Sequence, residues 1–554
     1  MRVYESVVNY LDSANVRLFA GMVGSTSAPY VVEIAARENM RFIPVRHEQV
    51  AAAMMDAVTR LEHRPGCLLT HGASGALAAS TGIASAALDS VPMLVLSATQ
   101  ERQAMEKGWW QTSDVLQPMR SFVKWQTRVE RPDRAVAAVR HALRAAVSGR
   151  PGVCQVDIPI DVSTADYDGP DFSKHEADIV VHRVLPDPEL VSRVVQILNG
   201  ADRVCLLVGG GATYGNASVV LERLADALHA PVVNTATSRG VIGEHHRLAF
   251  GPSGILGYEP ANDVLQEADV LLAIGSRLSD LQTARGTLVS EHARIIQADI
   301  APESLAQEGP VEVEVVADAL SFAEALLAQL APYSAEKSSL REKWVDSLRR
   351  RQKKWLDGWL SSETSANGKI APVEVVSDLM RLLPKDAILT HGPGDHGFYG
   401  YAVPVSGRGA HLVSSRLGVM GCALGYAMGA RLVRPGQTIV ACVGDGELMH
   451  QIGDLETMAR ERLPAIVVVF NNFRLGSQRK RLELYGKPFG VDHGNPDFAK
   501  LAELHGIRGY RIDKPGSFSK AFADAMASGS AAVLDVIVNP ESRPPRIAIS
   551  REAR

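Results

Sequence analysis

Cysteine is scarce in this chain, with five residues among 554, and it forms no Cys-X-X-Cys pair and no His/Cys ligand spacing. That scarcity excludes a disulfide framework and a zinc site of the cysteine-rich type. The five lie far apart, mostly within apolar strand-like runs: Cys67, Cys154, Cys205, Cys422 and Cys442. We therefore expect buried thiols in a protein of the reducing cytoplasm.

Long apolar runs are also absent, since a stretch such as Ala465–Phe470 has only the length of a strand. No transmembrane helix, and hence no membrane partner, is expected. The first residues, MRVYESVVNYLDSANV, have the pattern of an amphipathic helix with charges throughout, so no signal peptide is expected. A formal net charge of -4 leaves no basic excess and argues against a nucleic-acid partner.

What the chain does contain is a repeated alternation of short apolar strands with helix-length segments. Such alternation predicts parallel sheets that helices cover on both faces. The length of the chain suits about three domains of roughly 150–200 residues. We predict an α/β fold of three consecutive doubly wound parallel-sheet domains, over residues 1–168, 185–333 and 369–554, with a polar linker at 166–178.

The most informative segment runs from residue 437 to 472 and reads QTIVACVGDGELMHQIGDLETMARERLPAIVVVFNN. It predicts a strand, a Gly-Asp-Gly turn, a helix and a second strand, with Asp445 and Asn472 at the two strand ends. The carboxyl ends of parallel strands meet at one edge of a sheet, where ligands bind. One carboxylate, one amide oxygen and a glycine turn there suit Mg²⁺ that bridges the protein to a diphosphate.

Glu48 follows an apolar strand and opens the Ala- and Met-rich helix VAAAMMDAVTR. By itself it is typical of an acid that interacts with a helix dipole. Together with the predicted metal–diphosphate pair, it makes the chain resemble the thiamine diphosphate-dependent enzymes, in particular the acetolactate synthase/benzoylformate decarboxylase-like group. The resemblance spans nearly the whole chain, through RHEQVAAAMMDA, TGIASAALDSVPMLVLSA, QTSDVLQP, SSRLGVMGCALGYAMGA, the segment above and NPDFAKLAELHGI.

The resemblance implies pyrimidine-binding, middle and diphosphate-binding domains in that order, with thiamine diphosphate and Mg²⁺ as cofactors. Asp445 and Asn472 would bind Mg²⁺ through side-chain oxygens, and Arg474 through its backbone carbonyl. Gly446 and Glu447 would line the diphosphate, and Gly444 of the same turn would also bind the cofactor.

The other end of the cofactor would meet residues from two further motifs. Glu48 would hydrogen-bond N1′ of the aminopyrimidine ring, and the backbone carbonyl of Gly418 would receive the 4′-amino group. Met420 would be the apolar wedge that bends the cofactor, although it also suits a core position. The resemblance thus implies proton transfer that is relayed through the cofactor itself.

Candidate proton-handling residues lie after strands of the first and third domains. Ser25 and His71 look like the serine and histidine of benzoylformate decarboxylase, whose second histidine has no evident counterpart in VLLAIGSRLSD. Gln111 fits the glutamine of the acetolactate synthase pattern. His391 and His396 both follow one strand and are expected to face the same cleft.

The function that this resemblance implies is decarboxylation of a 2-oxo acid with carboligation, like acetolactate synthase. Alternatives are a non-ligating decarboxylase of the benzoylformate decarboxylase type and acyl transfer like that of sulfoacetaldehyde acetyltransferase. The basic run Arg479–Arg481 favours acyl transfer if it binds an anion, but it also suits an exposed helix turn. An alternative of another class is a catalytically silent, nucleotide-binding scaffold.

The resemblance also implies partners beyond a small 2-oxo acid or related carbonyl substrate. We expect a homodimer or homotetramer with active sites at the subunit interface. Segments 209–215 and 234–240 resemble those that hold FAD or ADP in relatives, but IGSRLSD departs from the FAD-binding pattern, so FAD is not favoured. Arg416 stands where glycine is commoner, and it would bind a carboxylate of the substrate or of a neighbouring acid.

Overall fold

The computed structural model describes residues 1–172, 179–365 and 368–545. It contains three six-stranded sheets, and every strand pair in them is parallel. The prediction of three consecutive α/β domains is therefore confirmed. Residues 173–178 of the predicted linker lie outside the described residues. Among the described residues, no helix is both long enough and apolar enough to cross a membrane.

The first sheet has the strand order β2-β1-β3-β4-β6-β5. Its strands are β1 Leu18–Gly21, β2 Arg41–Pro44, β3 Cys67–His71, β4 Leu94–Ala98, β5 Trp125–Arg128 and β6 Cys154–Asp157. The helices around it are α1 Val3–Ser13, α2 Ala28–Ala35, α3 Glu48–Glu62, α4 Gly72–Leu88, α5 Arg102–Lys107, α6 Ala135–Val147 and α7 Ile160–Ser163.

The second sheet has the order β12-β11-β10-β7-β8-β9. Its strands are β7 Val204–Val208, β8 Val232–Asn234, β9 Ala249–Pro252, β10 Val270–Ile274, β11 Arg294–Asp299 and β12 Val313–Val316. Its helices are α8 Pro188–Gly200, α9 Gly210–Tyr214, α10 Ser218–Leu228, α11 Glu259–Glu267, α12 Asp280–Thr283 and α13 Ala319–Gln329, after which the long helix α14, Ala335–Leu360, leads to the third sheet.

The third sheet has the order β14-β13-β15-β16-β18-β17. Its strands are β13 Ile388–His391, β14 His411–Val413, β15 Ile439–Gly444, β16 Ile466–Asn471, β17 Arg508–Ile512 and β18 Ala532–Ile537. Its helices are α15 Pro372–Leu382, α16 Asp395–Gly400, α17 Ala423–Val433, α18 Asp445–His450, α19 Asp454–Arg460, α20 Gly476–Leu482, α21 Phe498–Leu504 and α22 Phe518–Ser528. Because β15 pairs with β16, the strand ends that Asp445 and Asn472 follow are neighbours, as predicted.

Three strands that carry no continuous apolar run, β5, β9 and β12, all lie at sheet edges. In β12, for example, buried and exposed residues alternate, whereas the central strand β10 is buried throughout. An edge strand needs fewer apolar residues than a strand covered on both faces, so apolar runs alone identify mainly the central strands.

The first and third domains contact each other through α3 and α17, which pack backbone against backbone at two glycines. A Cβ on Gly425 would lie 2.8 Å from the carbonyl oxygen of Val50, and one on Gly429 would lie 2.3 Å from that of Met54. Only glycine allows this approach. It brings the start of α3 to the segment before α17, where Gln49 Nε2 donates a hydrogen bond to the Met420 carbonyl at 2.7 Å.

Replacing Gly429 with alanine should therefore force α3 and α17 apart. We expect a lower midpoint of thermal unfolding, since overpacking of this kind costs about 1–3 kcal/mol. The matched control is Gly358→Ala in α14, where an added Cβ meets nothing within 4 Å. Helix propensity favours alanine there by up to about 1 kcal/mol, so the control should be unchanged or more stable. Equal midpoints for the two variants in scanning calorimetry would contradict the close packing.

Candidate active site

A cavity of about 90 Å³ opens at the carboxyl edge of the third sheet, beside the ends of β15 and β16. Its lining includes the residues of the Gly-Asp-Gly turn and Asn472. Further lining residues come from the start of α16 and from the loop before α20. The cavity is therefore built from several separate parts of the third domain.

Asp445 is the carboxylate of this cavity and is 2% exposed. Its Oδ2 accepts a hydrogen bond from Asn495 Nδ2 at 2.7 Å, and the same amide group donates to Asn471 Oδ1 at 2.9 Å. Burial raises the pKa of the Asp445 carboxyl above its usual range. A buried carboxylate with an open side is a group that a bound cation would stabilise.

Asn472 lies on the other side of the cavity, and its Oδ1 accepts the backbone N–H of Arg474 at 3.1 Å. The Arg474 guanidinium forms ion pairs with Glu541 at 2.9 Å and with Asp492 at 3.4 Å. These contacts hold the side chain of Arg474 in place and leave its backbone to face the cavity wall. Its role as a carbonyl ligand stays a prediction.

Glycines keep the floor of the cavity open. A Cβ on Gly446 would lie 2.8 Å from Leu475 Cδ2 and 3.7 Å from Met420 Cε, so the Met420 side chain comes close to the turn. A Cβ on Gly444 would lie 2.8 Å from His396 Nδ1. Gly418, two residues before Met420, has a φ of 64°, a left-handed conformation that favours glycine.

Glu447 differs in part from its expected role, because its carboxylate is used within the protein. Its Oε2 lies 2.7 Å from His396 Nε2, and both side chains are buried. Gly392 leaves the room for this pair, since a Cβ there would lie 2.0 Å from Glu447 Oε1. That Oε1 atom is buried and has no hydrogen-bond partner within the described part of the chain. One carboxylate oxygen of Glu447 is thus engaged by His396, and its role beside a diphosphate stays a prediction.

His391 does not face the cleft, contrary to the expectation that both histidines of this segment would. It is the last residue of β13, and its Nε2 lies 2.6 Å from His411 Nε2 on the neighbouring strand β14. Its ring packs edge-on against Tyr401. Burial lowers the pKa of His391 to about 3, which keeps this imidazole neutral in the core. His396, five residues later at the start of α16, does line the cavity.

The residues expected from the first domain lie at the carboxyl edge of the first sheet. Glu48 begins α3 and is 8% exposed, and burial raises the pKa of its carboxyl. A Cβ on Gly75 of α4 would lie 3.0 Å from Glu48 Oε1, so a glycine there makes room for the carboxyl group. A raised pKa favours the protonated form, which can donate a hydrogen bond.

The three other candidates of the first domain lie at the same edge. Ser25 is exposed after β1, and His71 ends β3 with its Nδ1 2.8 Å from Thr26 Oγ1. Burial lowers the pKa of His71. Gln111 has a φ of 58°, and its Oε1 lies 3.4 Å from Gln100 Nε2, just beyond β4.

One chain therefore contains two separate groups of site residues. Ser25, Glu48, His71 and Gln111 belong to the first-domain group, and none of them is among the described residues that line the cavity beside Asp445. Gln49, next to Glu48, bonds the carbonyl of Met420, which lines the cavity, so the two groups approach each other along the contact of α3 with α17.

The basic run of α20 is mostly neutralised. Arg479 pairs with Asp492 at 2.6 Å and with Glu483 at 3.4 Å, and Lys480 pairs with Asp395 at 3.2 Å. Arg481 is exposed. This arrangement favours the structural role over an anion site.

The cavity fits Mg²⁺ and a diphosphate. One carboxylate, one amide oxygen and backbone groups suit Mg²⁺, which takes few ligands from protein. Among the described residues, no three or more His, Cys, Asp and Glu side chains form a group that could hold a metal ion, so these residues give no support to a transition-metal centre. The glycine floor leaves the turn backbone accessible to phosphate oxygens.

A metal–diphosphate cavity on a three-domain α/β chain, with a buried glutamate at a second sheet edge, defines a cofactor-dependent enzyme. Three family models match: "Thiamine pyrophosphate enzyme, N-terminal TPP binding domain" over residues 1–118, the "central domain" over 191–326 and the "C-terminal TPP binding domain" over 392–536. The chain belongs to the thiamine pyrophosphate enzymes. Its cofactors are Mg²⁺ and thiamine diphosphate, which is another name for thiamine pyrophosphate.

Three similar proteins are named as acetolactate synthase large subunits. The chain is 30% identical to "Acetolactate synthase large subunit" of Parasynechococcus marenigrum, over 90% of this chain and 81% of that protein. It is 29% identical to "Acetolactate synthase isozyme 3 large subunit" of Escherichia coli, over 94% and 92%. It is 28% identical to "Probable acetolactate synthase large subunit" of Methanococcus aeolicus, over 97% and 92%. The resemblance that the motifs indicated is confirmed.

Two residues that hydrogen-bond to the site, Asn495 and Gln49, were not predicted from the sequence. Asn495 follows Asp445 by 50 positions on a loop without a regular pattern, so no spacing rule would select it. Gln49 stands next to Glu48 in the motif RHEQ, which was the available signal. Its amide group ties the segment of Met420 to α3.

Asn495→Ala should lower the affinity for Mg²⁺ and thiamine diphosphate by about 10–100-fold, as loss of a hydrogen-bond partner of a metal ligand usually does. Isothermal titration of the cofactor-free variant in excess Mg²⁺ measures this. The control is Asn39→Ala, which removes an exposed amide that bonds Asp12 on the first domain. An unchanged dissociation constant for Asn495→Ala would show that Asp445 does not depend on this amide.

Proposed function

We propose that this protein is a thiamine diphosphate- and Mg²⁺-dependent enzyme that decarboxylates a 2-oxo acid and ligates the remaining fragment to a second carbonyl compound. The names of its relatives support the acetolactate synthase-like reaction. The observation that carries the proposal is the pairing of a cavity around Asp445 that fits a metal and a diphosphate with a buried Glu48 whose carboxyl pKa is raised.

Bound thiamine diphosphate supplies a carbon nucleophile for the substrate carbonyl and an electron sink when CO₂ leaves. Asp445 and Asn472 hold Mg²⁺ against the diphosphate, while the turn at Gly444 and Gly446 lets the backbone approach it. Glu48, whose carboxyl pKa is raised by burial, would hydrogen-bond the aminopyrimidine N1′. Gly418 and Met420 orient the same ring.

The remaining candidates act on the substrate side. His71, neutral at pH 7 because its pKa is lowered, and Gln111 offer polar groups at the first sheet edge. Ser25 lies beside them, exposed, and His396 faces the diphosphate cavity. A non-ligating decarboxylase of the benzoylformate decarboxylase type uses the same first steps, and product analysis separates the two. Acyl transfer gains no support from α20, whose Arg479 and Lys480 are already paired.

We expect Glu48→Gln to lower turnover of pyruvate and other 2-oxo acids at least about 100-fold, the usual effect of losing a general acid–base group. Cofactor binding should be retained. NMR of a panel of 2-oxo acids, with and without acceptor aldehydes and ketones, measures CO₂ release and the ligated product. The control is Glu38→Gln, an exposed carboxylate of the first domain. Full activity of Glu48→Gln, or no turnover of any 2-oxo acid by the unaltered enzyme, would contradict the proposal.

We further propose a homodimer or homotetramer in which Glu48 of one chain serves the cofactor bound at Asp445 of another. Among the described residues, none of the four first-domain candidates lines the cavity beside Asp445 of its own chain, which supports this arrangement. Exposed apolar side chains near both groups, including Trp110 at 77% and Leu417 at 42% exposure, are suited to burial in such an interface. The five buried free thiols support a reducing compartment, the cytoplasm.

Mixing two inactive variants tests the shared site. Glu48→Gln and Asp445→Asn chains, unfolded together and refolded in equal amounts, should regain about one quarter of the normal activity, because half of the random dimers carry one intact site of two. Each variant refolded alone should stay inactive. Mixed assemblies that form, as seen by native mass spectrometry, but show no activity would mean that each site belongs to one chain.

A further inference from the structure

A second cavity, of about 440 Å³, lies where the long helix α14 meets the middle and third domains. Strand β9 and Tyr258 line it from the middle domain, and Met380 of α15 and Tyr401 line it from the third. Cavities of roughly 300–1,000 Å³ are the size that small ligands use, and they often lie between domains. None of the residues that the proposed function uses is among the described residues that line this cavity.

Aromatic side chains form much of the cavity wall, namely Phe250, Tyr258, Trp355 and Tyr401. The rings of Tyr258 and Trp355 lie with their centroids 5.0 Å apart, and Trp355 is only half-buried. Aromatic rings prefer offset or edge-to-face contacts with other rings. A flat aromatic ring is therefore the group that these walls suit.

One cation of the cavity wall, Arg349, has no carboxylate beside it. Its guanidinium donates to the backbone carbonyls of Arg247 and His246, both at 2.6 Å, and of Ala249 at 2.9 Å. With a further bond to Gln352 Oε1, these contacts use four of its five N–H groups within the described part of the chain. Burial, followed by repulsion from Arg247, lowers the pKa of Arg349 to about 10. A bound anion would stabilise such a half-buried cation.

The other charged residues of the cavity wall are already paired. The carboxylate of Glu244 lies 2.8 Å from Arg239 Nε and accepts the backbone N–H of Val405 at 3.0 Å. Lys353 pairs with Asp357 at 2.7 Å, and because both side chains are largely exposed this pair is weak. The cavity thus combines aromatic walls with an excess of positive charge, which fits an acid with an aromatic body.

A hydrogen bond connects this cavity to the cofactor cavity. The Tyr258 hydroxyl donates to the backbone carbonyl of Phe398 in α16. The same helix begins with Asp395 and His396, which line the cavity beside Asp445. A ligand that fixes Tyr258 would therefore also fix one wall of the cofactor cavity.

We propose that the cavity at α14 binds an aromatic carboxylic acid, with the carboxylate at Arg349 and the ring against Trp355, and that the bound acid raises the affinity for thiamine diphosphate through Tyr258. The second part rests on the function proposed above. An acid that orders Tyr258 and α16 leaves less ordering to be done when the cofactor binds. Coupling of this kind is reciprocal, so each ligand raises the affinity of the other by the same factor.

Phenylacetate is the probe for the binding site. Isothermal titration of cofactor-free, full-length protein compares it with phenylacetamide, which lacks the charge, and with acetate, which lacks the ring. We expect phenylacetate to bind at least about tenfold more tightly than either compound, because each has lost one of the two contacts. No binding of phenylacetate, or equal binding of phenylacetate and phenylacetamide, would overturn the site.

Two variants locate the probe. Arg349→Gln should weaken phenylacetate binding at least about tenfold, whereas the matched control Arg350→Gln removes the exposed charge of the next residue of α14 and should leave binding unchanged. Because Arg349 also holds backbone carbonyls, Trp355→Phe serves as an independent variant that keeps a ring. Phenylacetate should change the tryptophan fluorescence of the unaltered protein, and in Trp355→Phe most of this change should disappear while binding persists. An unchanged fluorescence response in Trp355→Phe would overturn the placement.

Tyr258→Phe tests the coupling. In excess Mg²⁺, saturating phenylacetate should raise the affinity of the unaltered protein for thiamine diphosphate by a factor of about five or more. In Tyr258→Phe, which should still bind phenylacetate, this factor should fall close to one. Coupling that survives in this variant would overturn the role of the hydroxyl. A lower cofactor affinity in phenylacetate would mean competition at the Asp445 cavity and would overturn the proposal.

The failures of the two proposals are distinguishable. If phenylacetate does not bind to protein that does bind thiamine diphosphate, the site at α14 is wrong and the proposed function stands. If thiamine diphosphate does not bind but phenylacetate does, with the Arg349→Gln effect, the proposed function and the coupling fail while the site at α14 stands.

Discussion

The backbone contact between α3 and α17 is the constraint on which the rest of the cofactor site depends. Two glycines of α17 let the helices approach until side chains cannot intervene, so neither helix can slide without a clash. The start of α3 carries Glu48, and the residues just before α17 carry Gly418 and Met420. Groups from two domains, nearly 400 positions apart in sequence, are thereby held by one rigid joint.

Much of the third-domain cavity could be predicted, because the residues concerned stand at the ends of strongly apolar strands. Because β15 and β16 pair in parallel, Asp445 and Asn472 follow strand ends at the same edge of the sheet. The fold followed from the same periodicity. The edge strands β5, β9 and β12 escaped it, since half-exposed strands need no continuous apolar run.

Side-chain direction marks the limit of such prediction. His391 and His396 are five positions apart and looked equivalent, yet one ends a strand and points into the core against His411, whereas the other starts a helix at the cavity. Glu447 looked like a diphosphate neighbour, but its carboxylate bonds His396 because Gly392 leaves room for it. Asn495 could not be predicted from the sequence, because a long-range hydrogen bond leaves no local sequence pattern. These outcomes depend on packing between segments, which one-dimensional spacing does not contain.

Because the site residues are divided between two groups, assembly of the chains affects when a newly made enzyme becomes active. The glycine-floored cavity belongs to the third domain, whereas Glu48 stands at the start of α3 on the first domain. If sites are shared as proposed, a newly made chain can take up its cofactor before any chemistry is possible. Catalytic activity would then begin only at a protein concentration at which the chains assemble. The amount of cofactor-bound but inactive single chains would depend on that concentration.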